Sequence, residues 1–320
     1  MEQKIILAEL AKDTLIGLSA NPKYLLSKYF YDDTGSAIFQ KIMNMPEYYL
    51  TNCEHEIFTQ QKKQIIEAFL KETKGFDLIE LGPGDGLKTK ILLNTMAQGA
   101  IPFNYIPIDI SKKANIGLVK SLAEEIPDLN VKAQTGDFFK VMKMLNGHSS
   151  LRRIVLFLGS NIGNFSEEET DTFLGQISEF TQKGDKVLIG FDLIKSPEII
   201  IKAYDDPHGF TKDFILNHLA RLNRELDANF NLSDFSQHTS YNPQTGAVKN
   251  YLISKVDQKV TIGGLEKSFH FKKWESIFME LSQKFELETI NKLAFQHGFR
   301  VEKHFTDSRN YFVDSLWERR

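Results

Sequence analysis

Residues 79–86 read Ile-Glu-Leu-Gly-Pro-Gly-Asp-Gly, an apolar run that passes straight into three alternating glycines. A strand that ends this way lets the backbone turn tightly and lets a ligand come close to it. Gly82, Gly84 and Gly86 therefore mark where a nucleotide-like group would sit. Glu80 narrows the choice of ligand. A dinucleotide turn faces a pyrophosphate and has no use for a carboxylate two residues before its first glycine. A cofactor with a cationic amino-acid tail, such as S-adenosylmethionine (SAM), would attract one. The bland alternative is a strand-to-helix turn whose glycines serve geometry alone, since short glycine patterns also recur by accident.

The following residues continue the alternation. Residues 87–98 have a helical period, with Leu87, Ile91, Leu92 and Met96 on one face. Residues 104–110 read as a second buried strand that brings Asp109 to its end, about 25 residues past Gly84, where a carboxylate can accept from ribose hydroxyls. An Asp at a strand end also serves as a helix cap or turn residue. A helical run over 112–126 leads to a third strand at 131–135, then to Asp137 and Phe138, placed to meet an adenine amino group and its ring face. Phe138 also reads as plain core. Residues 153–158 and 186–193 are almost continuously apolar, as strands buried on both faces require. Between them, Ser166 and Glu169 form a capping-box pattern that opens a helix over 167–181. A helix at 287–297, closed by Gly298, precedes two strands, 300–305 and 310–317. Their four-residue join is too short for a parallel crossover, so this pair is expected to be antiparallel. Five parallel strands followed by such a hairpin give a doubly wound α/β sheet of the Rossmann-like class I SAM-methyltransferase type. A plain NAD-binding fold lacks the hairpin.

Composition bounds the partners. The net charge of −3 over 320 residues gives no basic footprint for nucleic acid. No Asn-Pro-Pro-Tyr-like or Asp-Pro-Pro-Tyr-like run follows the fourth strand, which argues against methylation of a base. One cysteine, Cys53, excludes an internal disulfide and fits a reducing, cytoplasmic compartment. The eight histidines show no metal-like spacing, so no metal site is expected. Charges run through residues 1–20, so neither a signal peptide nor a membrane anchor is expected there. The expected protein is a monomeric enzyme acting on a small molecule. A non-catalytic SAM- or NAD-binding module is the rival class.

The sheet assigns residues 55–195 and 286–320 to a cofactor-binding domain. Residues 1–54 and 196–285 are left for a second, α+β domain that binds substrate or serves as scaffold. It contains a helical run at 211–225 and a hairpin turn at Asn242-Pro243-Gln244-Thr245-Gly246, with strands at 247–256 and 259–262 after it. His270, in the alternation Phe269–Phe271, reads as structural.

Several separated blocks carry a resemblance. They are Tyr29-Phe30-Tyr31-Asp32-Asp33-Thr34-Gly35-Ser36-Ala37-Ile38-Phe39, Met45-Pro46-Glu47-Tyr48-Tyr49, Leu158-Gly159-Ser160-Asn161-Ile162-Gly163-Asn164-Phe165, Lys202-Ala203-Tyr204-Asp205-Asp206 and Met279-Glu280-Leu281-Ser282-Gln283-Lys284-Phe285. With the glycine element, and in this order, they resemble the histidine-specific SAM-dependent methyltransferases of ergothioneine synthesis. The wider family includes fungal N-methyltransferases of a tryptophan-derived substrate. The resemblance implies SAM as cofactor and transfer of three methyl groups to the α-nitrogen of histidine. It implies cofactor contacts from Gly82, Gly84, Lys88, Asp109, Asp137 and Phe138, with Tyr31 and Asn164 at the methyl-transfer site. It also implies amino-acid contacts from Tyr48, Asn164, Tyr204, Glu280 and Ser282. The chain departs from the family at Asn250, where the family has an apolar side chain against the imidazole. Asn250 is expected among the substrate contacts, to bond an imidazole or favour another polar side chain, so the same reaction on another aromatic or polar amino acid is the alternative this departure raises; a small-molecule or protein methyltransferase of other specificity is a further alternative.

Overall fold

The structure is a computed structural model and describes residues 2–147 and 150–320, the side chains of 2–6 excepted. The chain forms two compact units, Leu50–Ile194 with Gln283–Arg320, and Met1–Tyr49 with Lys195–Ser282.

The first unit is built on a seven-stranded sheet among the described residues. In spatial order the strands are Phe299–Thr306, Phe312–Arg319, Lys186–Asp192, Arg152–Phe157, Phe76–Leu81, Phe103–Asp109 and Gln134–Thr135. Strand Phe76–Leu81 pairs in parallel with Phe103–Asp109 on one side and Arg152–Phe157 on the other. The chain order reverses there, so the glycine turn leaves the sheet at the topological switch point, where α/β sheets bind ligands. Phe312–Arg319 runs antiparallel to both its neighbours, as the short join predicts. Every residue of Phe76–Leu81 and Lys186–Asp192 is buried. Ile79, Ile106, Val155, Phe157, Val187 and Ile189 share one apolar core. This is the Rossmann-like class I methyltransferase layout.

Two details differ from the sequence reading. The helix after the glycines spans Thr89–Gln98, and Leu87 stands outside it, 57% exposed rather than on the buried face. The Leu87 N–H is taken by the Asp85 side chain at 3.0 Å, which holds it in the turn. The third strand is only Gln134–Thr135. It lies at the sheet edge, and Val131 makes just an isolated bridge to Tyr105. The capping box of Ser166 and Glu169 is present as expected.

The second unit packs helices against a sheet of order Lys23–Tyr24, Ser276–Gln283, Ala247–Ser254 and Phe235–Asn242. The Asn242–Gly246 turn joins an antiparallel hairpin. Burial in Ala247–Ser254 alternates, with Val248, Asn250, Leu252 and Ser254 inward. Asn250 thus occupies a core-facing register. His270 faces outward on Lys267–Phe271. Helix Asp33–Asn44 begins at Asp32, whose carboxylate accepts the Gly35 N–H at 2.7 Å and the Asn217 amide at 2.8 Å. These bonds tie the segment carrying Tyr31 to helix Phe210–Glu225.

Among the described residues, no helix is long and apolar enough to cross a membrane, and no group of three or more His, Cys, Asp or Glu could hold a metal ion.

Candidate active site

In the Rossmann-like unit, Gly82, Gly84 and Gly86 all have left-handed backbone, with φ of 69°, 59° and 67°. That conformation favours glycine. A Cβ on Gly84 would meet nothing within 4 Å, so the turn opens onto space. The Gly82 N–H donates to Ile108 O at 2.9 Å, and the Gly136 N–H donates to Asp109 O at 3.0 Å. Asp109 accepts the Ser111 N–H at 2.7 Å and the Gly84 N–H. Burial raises its carboxyl above the ordinary value, against the pull of those two bonds. The Phe138 ring lies 3.6 Å from where a Gly82 Cβ would be. The fold thus gathers Gly82, Gly84, Asp109, Asp137 and Phe138 around one turn. Asp137 also caps helix Phe138–Leu145, accepting the Lys140 N–H at 3.0 Å.

Glu80 is held by partners within the protein. It is 3% exposed, and its two carboxylate oxygens accept from Thr89 Oγ1 and the Tyr105 hydroxyl. Burial raises its carboxyl, and these two bonds oppose the rise. Its place is under the turn, joining strand to helix. Lys88 pairs with Glu54. Burial alone would lower its ammonium, but the Glu54 carboxylate outweighs that and holds it above the ordinary value. Asn164 ends the short turn Asn161–Asn164, half-buried, next to Gly163, whose Cβ would lie 2.7 Å from Gln283 O.

The other unit gathers Tyr31, Tyr48, Tyr204, Asn250, Glu280 and Ser282. Rings run in a row: Tyr31 to Phe39 at 5.4 Å, Phe39 to Tyr48 at 6.2 Å, and Tyr48 to Tyr204 at 6.3 Å. The Tyr204 and Ser282 hydroxyls share a hydrogen bond of 2.8 Å. Thr239 Oγ1 donates to Asn250 Oδ1 at 2.7 Å, and Asn250 Nδ2 donates to Glu280 Oε2 at 3.1 Å. Thr239 and Asn250 are direct cross-strand partners, and the Glu280 carboxylate, which only accepts, sets the direction of the relay. Desolvation first, then the charges of Glu280 and Tyr204, raise the Tyr31 phenol above its ordinary value. At neutral pH Tyr31 is thus a donor and not a resting base. Asn164 is the one expected amino-acid contact carried by the other unit.

The profile of the SAM-dependent histidine-specific methyltransferases matches residues 10–319. The chain belongs to this family. It is 34% identical over 307 residues to a histidine N-alpha-methyltransferase of Mycolicibacterium smegmatis, covering 96% of this chain and 94% of that one. It is 30% identical to ergothioneine biosynthesis protein 1 of Schizosaccharomyces pombe, over 90% of this chain and 38% of that longer protein. A SAM-dependent methyltransferase structure from Clostridium acetobutylicum aligns with a TM-score of 0.45 at 11% identity, over 82% of this chain and 92% of that chain. The chain is a SAM-dependent N-methyltransferase. Its glycine turn, the open space at Gly84 and the acceptor at Asp109 fit that cofactor.

Two buried carboxyls, Glu54 and Asp314, escaped the sequence reading. Each interrupts an apolar pattern: Glu54 lies in the stripe Leu50, Cys53, Ile57 and Phe58, and Asp314 within Phe312–Trp317. A charge inside such a stripe was the available signal.

Proposed function

We propose that the chain methylates the α-nitrogen of free L-histidine three times, giving the trimethyl betaine, as a step of ergothioneine synthesis. The observation that carries this is the relay Thr239–Asn250–Glu280 beside the Tyr204–Ser282 pair. It offers one oriented carboxylate and several neutral hydroxyls. Glu280 accepts from an imidazole N–H, and Ser282 bonds the other ring nitrogen. Tyr48, Tyr204 and Asn164 bond the carboxylate and amine without adding net charge. The departure at Asn250 fits this reading, because the amide braces Glu280.

SAM supplies a methyl group already activated on a sulfonium. Gly82, Gly84, Lys88, Asp109, Asp137 and Phe138 would hold it. The protein's contribution is then positioning, which can contribute about 7–11 kcal/mol in favourable cases. The amine must lose a proton to expose its lone pair. Tyr31 borders the transfer site, and a tyrosine or water takes the proton. Each methylation leaves a more substituted cation, which the faces of Tyr31 and Phe39 stabilise by about 0.5–2 kcal/mol. No covalent enzyme intermediate is needed.

The test is to incubate the purified protein with SAM and L-histidine and characterise the product by mass and NMR. The expected product carries three methyl groups on the α-nitrogen. Methylation on a ring nitrogen, or none on histidine, would contradict the proposal.

A further inference from the structure

Glu54 stands on helix Tyr49–Leu70 among Cys53, Ile57 and Phe58, and it is wholly buried. A buried carboxylate is costly unless it is paired, so its partners define its purpose. Oε1 accepts the Gly159 N–H at 2.8 Å, and Oε2 pairs with the Lys88 ammonium. Gly190 leaves room for it: a Cβ there would lie 2.6 Å from Glu54 Oε1. Directly across the ladder from Gly190 is Asp314, also wholly buried. Neither carboxyl oxygen of Asp314 meets a donor among the described residues. Its neighbour across Gly190 is the Glu54 carboxyl, whose Oε1 would lie 2.6 Å from a Gly190 Cβ.

Two ionised carboxylates are acceptors only, so a bond between them needs a proton on one. Burial first, and the Glu54 charge second, push the Asp314 carboxyl well above the usual carboxylate range. Glu54 is already occupied by an N–H and an ammonium, so the proton belongs on Asp314. The three groups then carry one negative and one positive charge and are neutral together.

We propose that Glu54 and Asp314, sharing one proton, form a positioning pair that fixes the Lys88 ammonium for SAM and anchors Gly159, where the loop leading to Asn164 begins. Stability alone is a weak reason for such a cluster, since apolar replacement of a buried ion pair is often neutral or favourable. What the pair provides is register. Gly159 has φ of 74° and Ser160 of 57°, so the loop starts in left-handed backbone that something must hold. Glu54 grips it at Gly159, and Ser160 Oγ accepts the Asp192 N–H at 3.0 Å. The role rests on the reading of Lys88 as a cofactor contact.

The experiment measures SAM affinity by calorimetry, with KM for SAM, kcat and melting temperature taken alongside. Glu54→Gln should weaken SAM binding about tenfold and raise KM more than it lowers kcat. Asp314→Ala should do the same. Asp314→Asn keeps a neutral donor toward Glu54 and should restore affinity to within about threefold of wild type. An Asp314→Asn loss as large as that of Glu54→Gln overturns the shared proton. If Asp314→Ala does not fold, the two near-isosteric variants decide the matter. Lys88→Met separates the two levels of the argument. If Lys88→Met binds SAM as wild type does, the cofactor assignment of Lys88 falls, and the positioning role with it. If Lys88→Met is weakened while folded Glu54→Gln is not, the positioning role alone is overturned. Neither outcome depends on which amino acid is methylated.

Discussion

In the Rossmann-like unit the glycine turn is left-handed backbone, and buried carboxyls are held by partners within the same unit: Glu80 by Thr89 and Tyr105, Glu54 by Lys88, and Asp192 by Lys284 at 2.8 Å. In the other unit the gathered groups are side chains, mostly neutral, with hydroxyl and amide bonds running from Thr239 to Glu280 and from Tyr204 to Ser282. In the proposed reading the difference follows the ligands. A cofactor common to many enzymes can be held by local backbone geometry, which a short sequence stretch encodes. A single amino acid must be told from its relatives by side-chain chemistry, which needs groups brought from distant parts of the chain.

The largest expected effect tests whether the second unit is kept neutral. His218 is wholly buried beside Tyr29 and Phe30, and neither ring nitrogen has a hydrogen-bond partner among the described residues. Burial first, and Arg221 second, lower its imidazole to about 3. The folded value lies below the unfolded one, so this stability is present above about pH 6.5 and is lost as pH falls toward 3. Between pH 7 and pH 4 the loss should be about 3 kcal/mol. Urea unfolding of wild type and His218→Phe at both pH values measures it, and an equal loss in both proteins would remove His218 from the account.

Next in size, Glu280→Ala should lower kcat/KM for histidine about a hundredfold, through loss of a charge-assisted bond, with SAM affinity unchanged. Equal loss of both would break the division between the two regions. In the opposite direction, Gly84→Ala adds a methyl group to left-handed backbone that faces open space. SAM affinity should fall about tenfold, while histidine kinetics at saturating SAM stay within about twofold of wild type. The smallest effect is Tyr204→Phe. Removing the partner of the Ser282 hydroxyl should raise KM for histidine about fivefold, and steady-state kinetics that show no change would take Tyr204 out of substrate recognition.

The contrast also explains what could be read from the sequence. The glycine turn, the two fully buried strands, the Ser166–Glu169 cap and the terminal hairpin are all local patterns, and each appears in the structure. Leu87 misled because helical periodicity extends through the turn, whereas Asp85 holds the Leu87 N–H outside the helix. The partners of Glu80, Thr89 and Tyr105, come from other elements and could not be read from the glycine motif. The proposed amino-acid cluster has no spacing of its own. Thr239, Asn250 and Glu280 meet only through strand pairing, and the family resemblance alone singled out Asn250 and Glu280. Glu54 and Asp314 could have been flagged as charges within apolar stripes, but that they face each other follows from the Gly190–Asp314 register.

The most direct test of the central claim is a SAM-consumption screen of the purified protein over the free amino acids. The account predicts that L-histidine is turned over fastest and that its α-nitrogen accumulates three methyl groups. Faster turnover of tryptophan or of another polar amino acid, with histidine left unmethylated, would contradict it.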